Sequence, residues 1–129
     1  MSSSDGLMGE TQMFGPGATL VELHWSIFAG EWLRHTARVD QDAIWRRTMP
    51  ANGETVRRLS AEDAVVHLCV HLAVNHHMSG IGLRTLVDLD LARRKWAIDW
   101  AVVARRARDW RVASATWIVL HALAELFGD

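Results

Sequence analysis

Ser60-Ala61-Glu62-Asp63-Ala64-Val65-Val66-His67-Leu68-Cys69-Val70-His71-Leu72-Ala73-Val74 is the stretch that decides the fold class of this chain. Ser60 offers a hydroxyl where a helix would begin, and a carboxylate follows three residues on, an acidic form of the capping box. From Ala64 to Val74 the apolar residues cover nearly the whole circumference of a helical cylinder. A surface helix needs only one apolar stripe, so a helix of this kind is expected inside a helical array. Asn75-His76-His77 and Ser79-Gly80 supply the stop.

Working towards the C-terminus, three more helices are predicted. The first runs from Leu83 to Trp96, with Leu83, Leu86, Val87, Asp90 and Leu91 on one side. Arg93, Arg94 and Lys95 fill its last turn, where the helix dipole favours cations. The second opens at the capping residue Asp99 and reaches Trp110, with Arg105, Arg106 and Arg108 expected on the outer face. The last spans Val112 to Phe127 and stops at Gly128.

Towards the N-terminus the period changes from helical to two. Val21, Leu23, Trp25 and Ile27 alternate with Leu20, Glu22, His24 and Ser26, which predicts a strand with Glu22 and His24 on its polar face. A strand alone is unstable, so it needs a partner from elsewhere in the chain or from another molecule. Asp40 or Asp42 would cap a short helix over Ala43 to Arg47, and Pro50-Ala51-Asn52-Gly53 predicts a turn before an extended piece. Residues 1–18 are rich in Ser, Gly and Met and read as a flexible tail. The expected architecture is mainly α: one strand or small β element followed by about four helices, in a single domain over residues 19–129.

Composition narrows the function classes. The chain has 129 residues, half of them apolar and 22% charged, enough for one domain with a core that needs no staple. A net charge of -1 supplies no basic field for nucleic acid, and the apolar runs are too interrupted to span a bilayer. The N-terminus has no secretory signal pattern. A single cysteine, Cys69, rules out an internal disulfide and suits a reducing compartment, so a cytoplasmic location is expected. Seven Trp are expected chiefly as core anchors between helices.

Three groups of residues could carry chemistry. Asp63, His67 and His71 recur at i, i+4 and form one polar stripe, followed by His76 and His77. Such a stripe could hold zinc, although core histidines bonded within the fold are the preferred reading. Val87-Asp88-Leu89-Asp90-Leu91 imitates the alternating carboxylates by which nucleotidyltransferases hold metal ions on a strand. Its surroundings have helical period, and on a helix residues two apart face different ways, so it reads as a decoy. Glu22 and His24 share the polar face of the strand.

The ordered series Val21-Glu22-Leu23-His24-Trp25, Leu59-Ser60-Ala61-Glu62-Asp63, His67-Leu68-Cys69-Val70-His71-Leu72-Ala73 with His76-His77, Leu86-Val87-Asp88-Leu89 and Ile98-Asp99-Trp100 resembles a bacterial family of uncharacterised nucleotidyltransferase-like proteins. The resemblance covers about Ala18 to Gly128. It implies a helical region following a nucleotidyltransferase-fold domain, with Glu22 in the place of the third metal carboxylate and His24 facing substrate or partner. The paired aspartates that precede this strand in the family have no counterpart here. One carboxylate cannot hold two magnesium ions for in-line phosphoryl transfer. The resemblance therefore implies a C-terminal portion of such a protein, not catalytic alone, with magnesium only in a completed site. It would act with a companion nucleotidyltransferase chain or self-associate through its strand edge. A helical interaction module and a small His-rich metal-binding protein are the alternatives.

Overall fold

The computed structural model describes residues 9–53 and 55–128 and divides the chain into two compact units, Met1–Ala37 and Arg38–Asp129. In the first unit, strand β1 (Glu10–Phe14) pairs antiparallel with β2 (Leu20–His24). The register places Gln12 opposite Glu22 and Glu10 opposite His24, and on the other face Met13 opposite Val21 and Thr11 opposite Leu23. Helix α1 (Glu31–Thr36) follows and buries Leu33. The expected strand is present, and its partner is Glu10–Phe14, inside the stretch expected to be a flexible tail. The alternation of Glu10 and Gln12 with Thr11 and Met13 suffices for pairing once Gly15-Pro16-Gly17 turns the chain. The rest of that expected tail, residues 1–8, lies outside the described residues.

The second unit begins with α2 (Gln41–Arg47), capped by the Asp40 carboxylate, which accepts from the Ala43 N–H at 2.9 Å. Strands β3 (Met49–Ala51) and β4 (Val56–Arg58) form a short hairpin across the predicted turn. Helix α3 (Ala61–Val70) starts at Ser60, whose hydroxyl accepts from the Asp63 N–H. Helices α4 (Arg84–Lys95), α5 (Trp100–Asp109) and α6 (Ala113–Phe127) complete the array. Asp99 caps α5 by accepting from the N–H groups of Ala101 and Val102. The fold is mainly helical with small β elements, as the period change predicts.

Helix α3 is the hub, packed against α4, α5 and α6. Its Val65, Val66, Cys69 and Val70 are wholly buried, as is Leu72 just beyond it. Leu86 and Leu89 of α4, Val103 and Ala107 of α5, and Val119 and Leu123 of α6 are among the other buried residues of the array. This core is built chiefly of Val, Leu and Ala side chains. Six of the seven tryptophans are at least 39% exposed; only Trp110 is buried. The expectation of tryptophan core anchors is corrected on that ground. Among the described residues no helix is long and apolar enough to cross a membrane.

Cys69 has no accessible surface, and burial pushes its thiol up to about 12. A thiolate is the reactive species, so the folded protein should resist thiol reagents at pH 8 and react fully in guanidinium chloride. Labelling at comparable rates in both conditions would contradict this packing.

Candidate functional site

The β1–β2 hairpin presents Glu10, Gln12, Glu22 and His24 on one face. Gln12 Nε2 donates to Glu22 Oε1 at 2.7 Å, and His24 Nε2 lies 3.3 Å from Glu10 Oε2. Glu22 and His24, two residues apart on β2, lie side by side on one pleat face, each held by its cross-strand partner. The opposite face carries Met13, Val21, Leu23 and Trp25, each about half exposed. The first face also carries the exposed Phe14–Leu20 pair, so this two-stranded ribbon offers apolar surface on both faces and is an incomplete sheet element.

The acidic stripe on α3 does not converge with its histidines. Asp63 has no accessible surface and receives Arg47 Nε at 2.9 Å and Arg47 Nη2 at 3.2 Å. Arg106 Nη1 approaches the same carboxylate at 2.9 Å and also donates to Ser60 Oγ. Glu62 lies beside this group, with Arg106 Nη1 at 3.6 Å and the Asp99 N–H donating to it at 3.3 Å. Burial works against ionisation of Glu62, but the backbone N–H groups of Glu62 and Asp99 and the charge of Arg106 hold its carboxyl below the ordinary value. One salt-bridged knot thus ties α2, α3 and α5 together. Arg106 was expected on the outer face of α5; it turns inward because it shares the side of the buried Val103 and Ala107. Its position beside those residues in the helical period was the available signal.

The histidines form a separate, half-buried group. His67 and His71 stack with ring centroids 5.8 Å apart, and His71 meets His76 edge to face at 4.6 Å. Their Nε2 atoms are 3.0 Å apart. This meeting depends on a local widening of the backbone: α3 passes into a π turn over His71–Asn75, and the His76 N–H donates to the His71 carbonyl. Adding one residue to the turn brings i+5 over i, a juxtaposition that regular helical spacing does not predict.

Asp88 and Asp90 lie on α4, as helical period predicts. Asp90 is buried and accepts from Arg93 Nε at 2.8 Å and Arg94 Nε at 2.9 Å. Burial raises its pKa, but the hydrogen bonds and charges of Arg94 and Arg93 outweigh that and hold the carboxyl below its ordinary value. Among the described residues, no group of three or more His, Cys, Asp and Glu side chains is arranged to hold a metal ion. Glu22 is bonded to Gln12, and among the described residues no aspartate pair joins it in a metal-holding group. The described residues therefore do not fit a two-magnesium transfer centre.

The chain matches the family model of the uncharacterised nucleotidyltransferases over residues 4–128, and it belongs to that family. Neither a curated protein nor a solved structure gave a significant match.

Proposed function

We propose that this chain contributes a β-hairpin and a helical lobe to a nucleotide-transfer site and does not turn over by itself. The observation that carries the reading is the hairpin. Its polar face holds Glu22 and His24 in fixed cross-strand pairs, while all five residues of β2 remain exposed. A strand pair with open edges and a bare apolar face is suited to extend a larger sheet, by main-chain hydrogen bonding along an edge and by apolar burial on one side. The partner is a companion nucleotidyltransferase chain that provides the paired aspartates, or a second copy of this chain docked through the strand edge. In the completed site Glu22 would serve as the third carboxylate, and magnesium would neutralise the nucleotide phosphates. His24 would face substrate or partner. The cysteine chemistry suits a cytoplasmic setting.

The test is binding of a nucleoside triphosphate with magnesium, alongside a pyrophosphate-release assay. The chain alone should show no turnover, and any magnesium-dependent nucleotide binding should fall by at least about tenfold in Glu22→Ala, the scale on which metal sites respond to loss of a supporting group. Turnover by the isolated chain, or binding indifferent to Glu22→Ala, would refute the proposal.

A further inference from the structure

We propose that His71 and His76 form a binding site for one divalent ion of the imidazole-seeking transition metals (zinc, nickel, cobalt or copper), held through both Nε2 atoms. This site lies in the second unit and does not rest on the hairpin reading. It also differs from the i, i+4 stripe of Asp63, His67 and His71, because the oxygens of Asp63 are engaged by Arg47 and Arg106.

The geometry of the two rings carries the inference. Nε2 atoms 3.0 Å apart subtend roughly 90–95° at a point about 2.0–2.1 Å from each, the length of a zinc–imidazole bond. An imidazole centre lies about 1.2 Å behind its Nε2. Rings aimed at that shared point would have centroids about 4.8 Å apart, whereas a straight N–H···N bond of equal length would hold them about 5.4 Å apart. The observed separation is 4.6 Å. The separation thus matches two rings bent toward a shared ion more closely than it matches a straight N–H···N bond.

The surrounding backbone is shaped to hold this arrangement. The π turn sets His76 over His71, and the stacked His67 ring fixes the orientation of His71. The turn at residues 80–83 closes on the other side, where Gly82 approaches His76 so nearly that a Cβ there would lie 2.4 Å from the His76 Cβ. His77 and Met78 both adopt left-handed backbone conformations, with φ of 50° and 54°. Two consecutive strained residues persist only where their neighbours enforce them, and such strain concentrates at ligand sites. No third His, Cys, Asp or Glu among the described residues completes the set. The ion would therefore keep open positions for water or for an anionic ligand, as catalytic rather than structural metal sites do.

Tag-free full-length protein titrated with zinc should bind one ion per chain, measured by calorimetry and by metal analysis after gel filtration. His71→Gln and His76→Gln should each weaken binding by at least about tenfold, while His121→Gln should leave it unchanged. Circular dichroism and melting curves establish that each variant folds. Should His76→Gln fail to fold, the wild-type protein still decides the matter: with substoichiometric copper(II), electron paramagnetic resonance should show coupling to two imidazole nitrogens. Absence of zinc binding, affinity unchanged in folded His76→Gln, or coupling to one nitrogen only would overturn the proposal.

Discussion

Asp63→Ala is expected to lower the melting temperature by more than about 10 °C, the largest loss for any single carboxylate in the chain. Asp63 is wholly buried, and its two oxygens receive three guanidinium contacts within 3.2 Å. Removing one member of a buried ion pair typically costs about 3–5 kcal/mol, because the partner is left charged and desolvated. Arg47 retains 32% of its side-chain exposure and can turn to water, but Arg106 retains only 17%. The cost therefore falls toward the lower end, about 3 kcal/mol, and a domain of this size loses roughly 4–8 °C per kcal/mol. Asp63→Asn keeps the shape but sets an amide N–H₂ against a guanidinium donor, so it should recover only part of the loss. Asp63→Leu combined with Arg106→Met should cost less than Asp63→Ala, since the more buried of the two cations is removed and only Arg47, which can turn to water, loses its carboxylate. Denaturant unfolding of the three variants checks the order. A loss below about 1 kcal/mol in Asp63→Ala would place the knot with ordinary surface ion pairs.

That knot also marks where sequence reading stopped. Local signals were legible: Ser60, Asp40 and Asp99 each cap the helix predicted to follow them, because a cap is settled within four residues. The helical period around Asp88 and Asp90 correctly set them on α4, and the alternation around Glu22 correctly made a strand. Partners distant in sequence were not legible. Arg47 reaches Asp63 from another helix and Arg106 from a third, so i, i+4 spacing suggested a metal stripe where tertiary packing made an ion-pair knot. The tryptophans show the same limit from the apolar side. Their bulk predicts burial in general, but the core is filled chiefly by Val, Leu and Ala, and which large side chains stay outside it depends on tertiary packing. The direct contact between His71 and His76 was not legible for a subtler reason. Their contact requires a π turn, and no residue pattern distinguishes that turn from the end of an ordinary helix.

Gly82→Ala should destabilise the second unit by about 3 kcal/mol, at the upper end of the about 1–3 kcal/mol cost of overpacking. An added Cβ would stand 2.4 Å from the His76 Cβ, 2.7 Å from its Cγ and 3.1 Å from the Leu72 Cδ1. The first of these atoms is fixed to the backbone, so rotation of a flexible side chain cannot relieve the clash. Either the turn over Gly80–Leu83 must shift, breaking the hydrogen bond from the Gly82 N–H to the Ser79 carbonyl, or His76 must leave His71. Gly53→Ala provides the contrast. Its φ is +102° but nothing lies within 4 Å of an added Cβ, so its cost is conformational alone, about 1 kcal/mol. The two variants therefore separate backbone freedom from steric closure. If melting curves show Gly82→Ala no more damaging than Gly53→Ala, residues 80–83 do not clamp His76. If Gly82→Ala is the more damaging and also weakens zinc binding, the close approach of that turn is what holds the two imidazoles in register, and the missing side chain at Gly82 serves the histidine pair rather than the core beneath it.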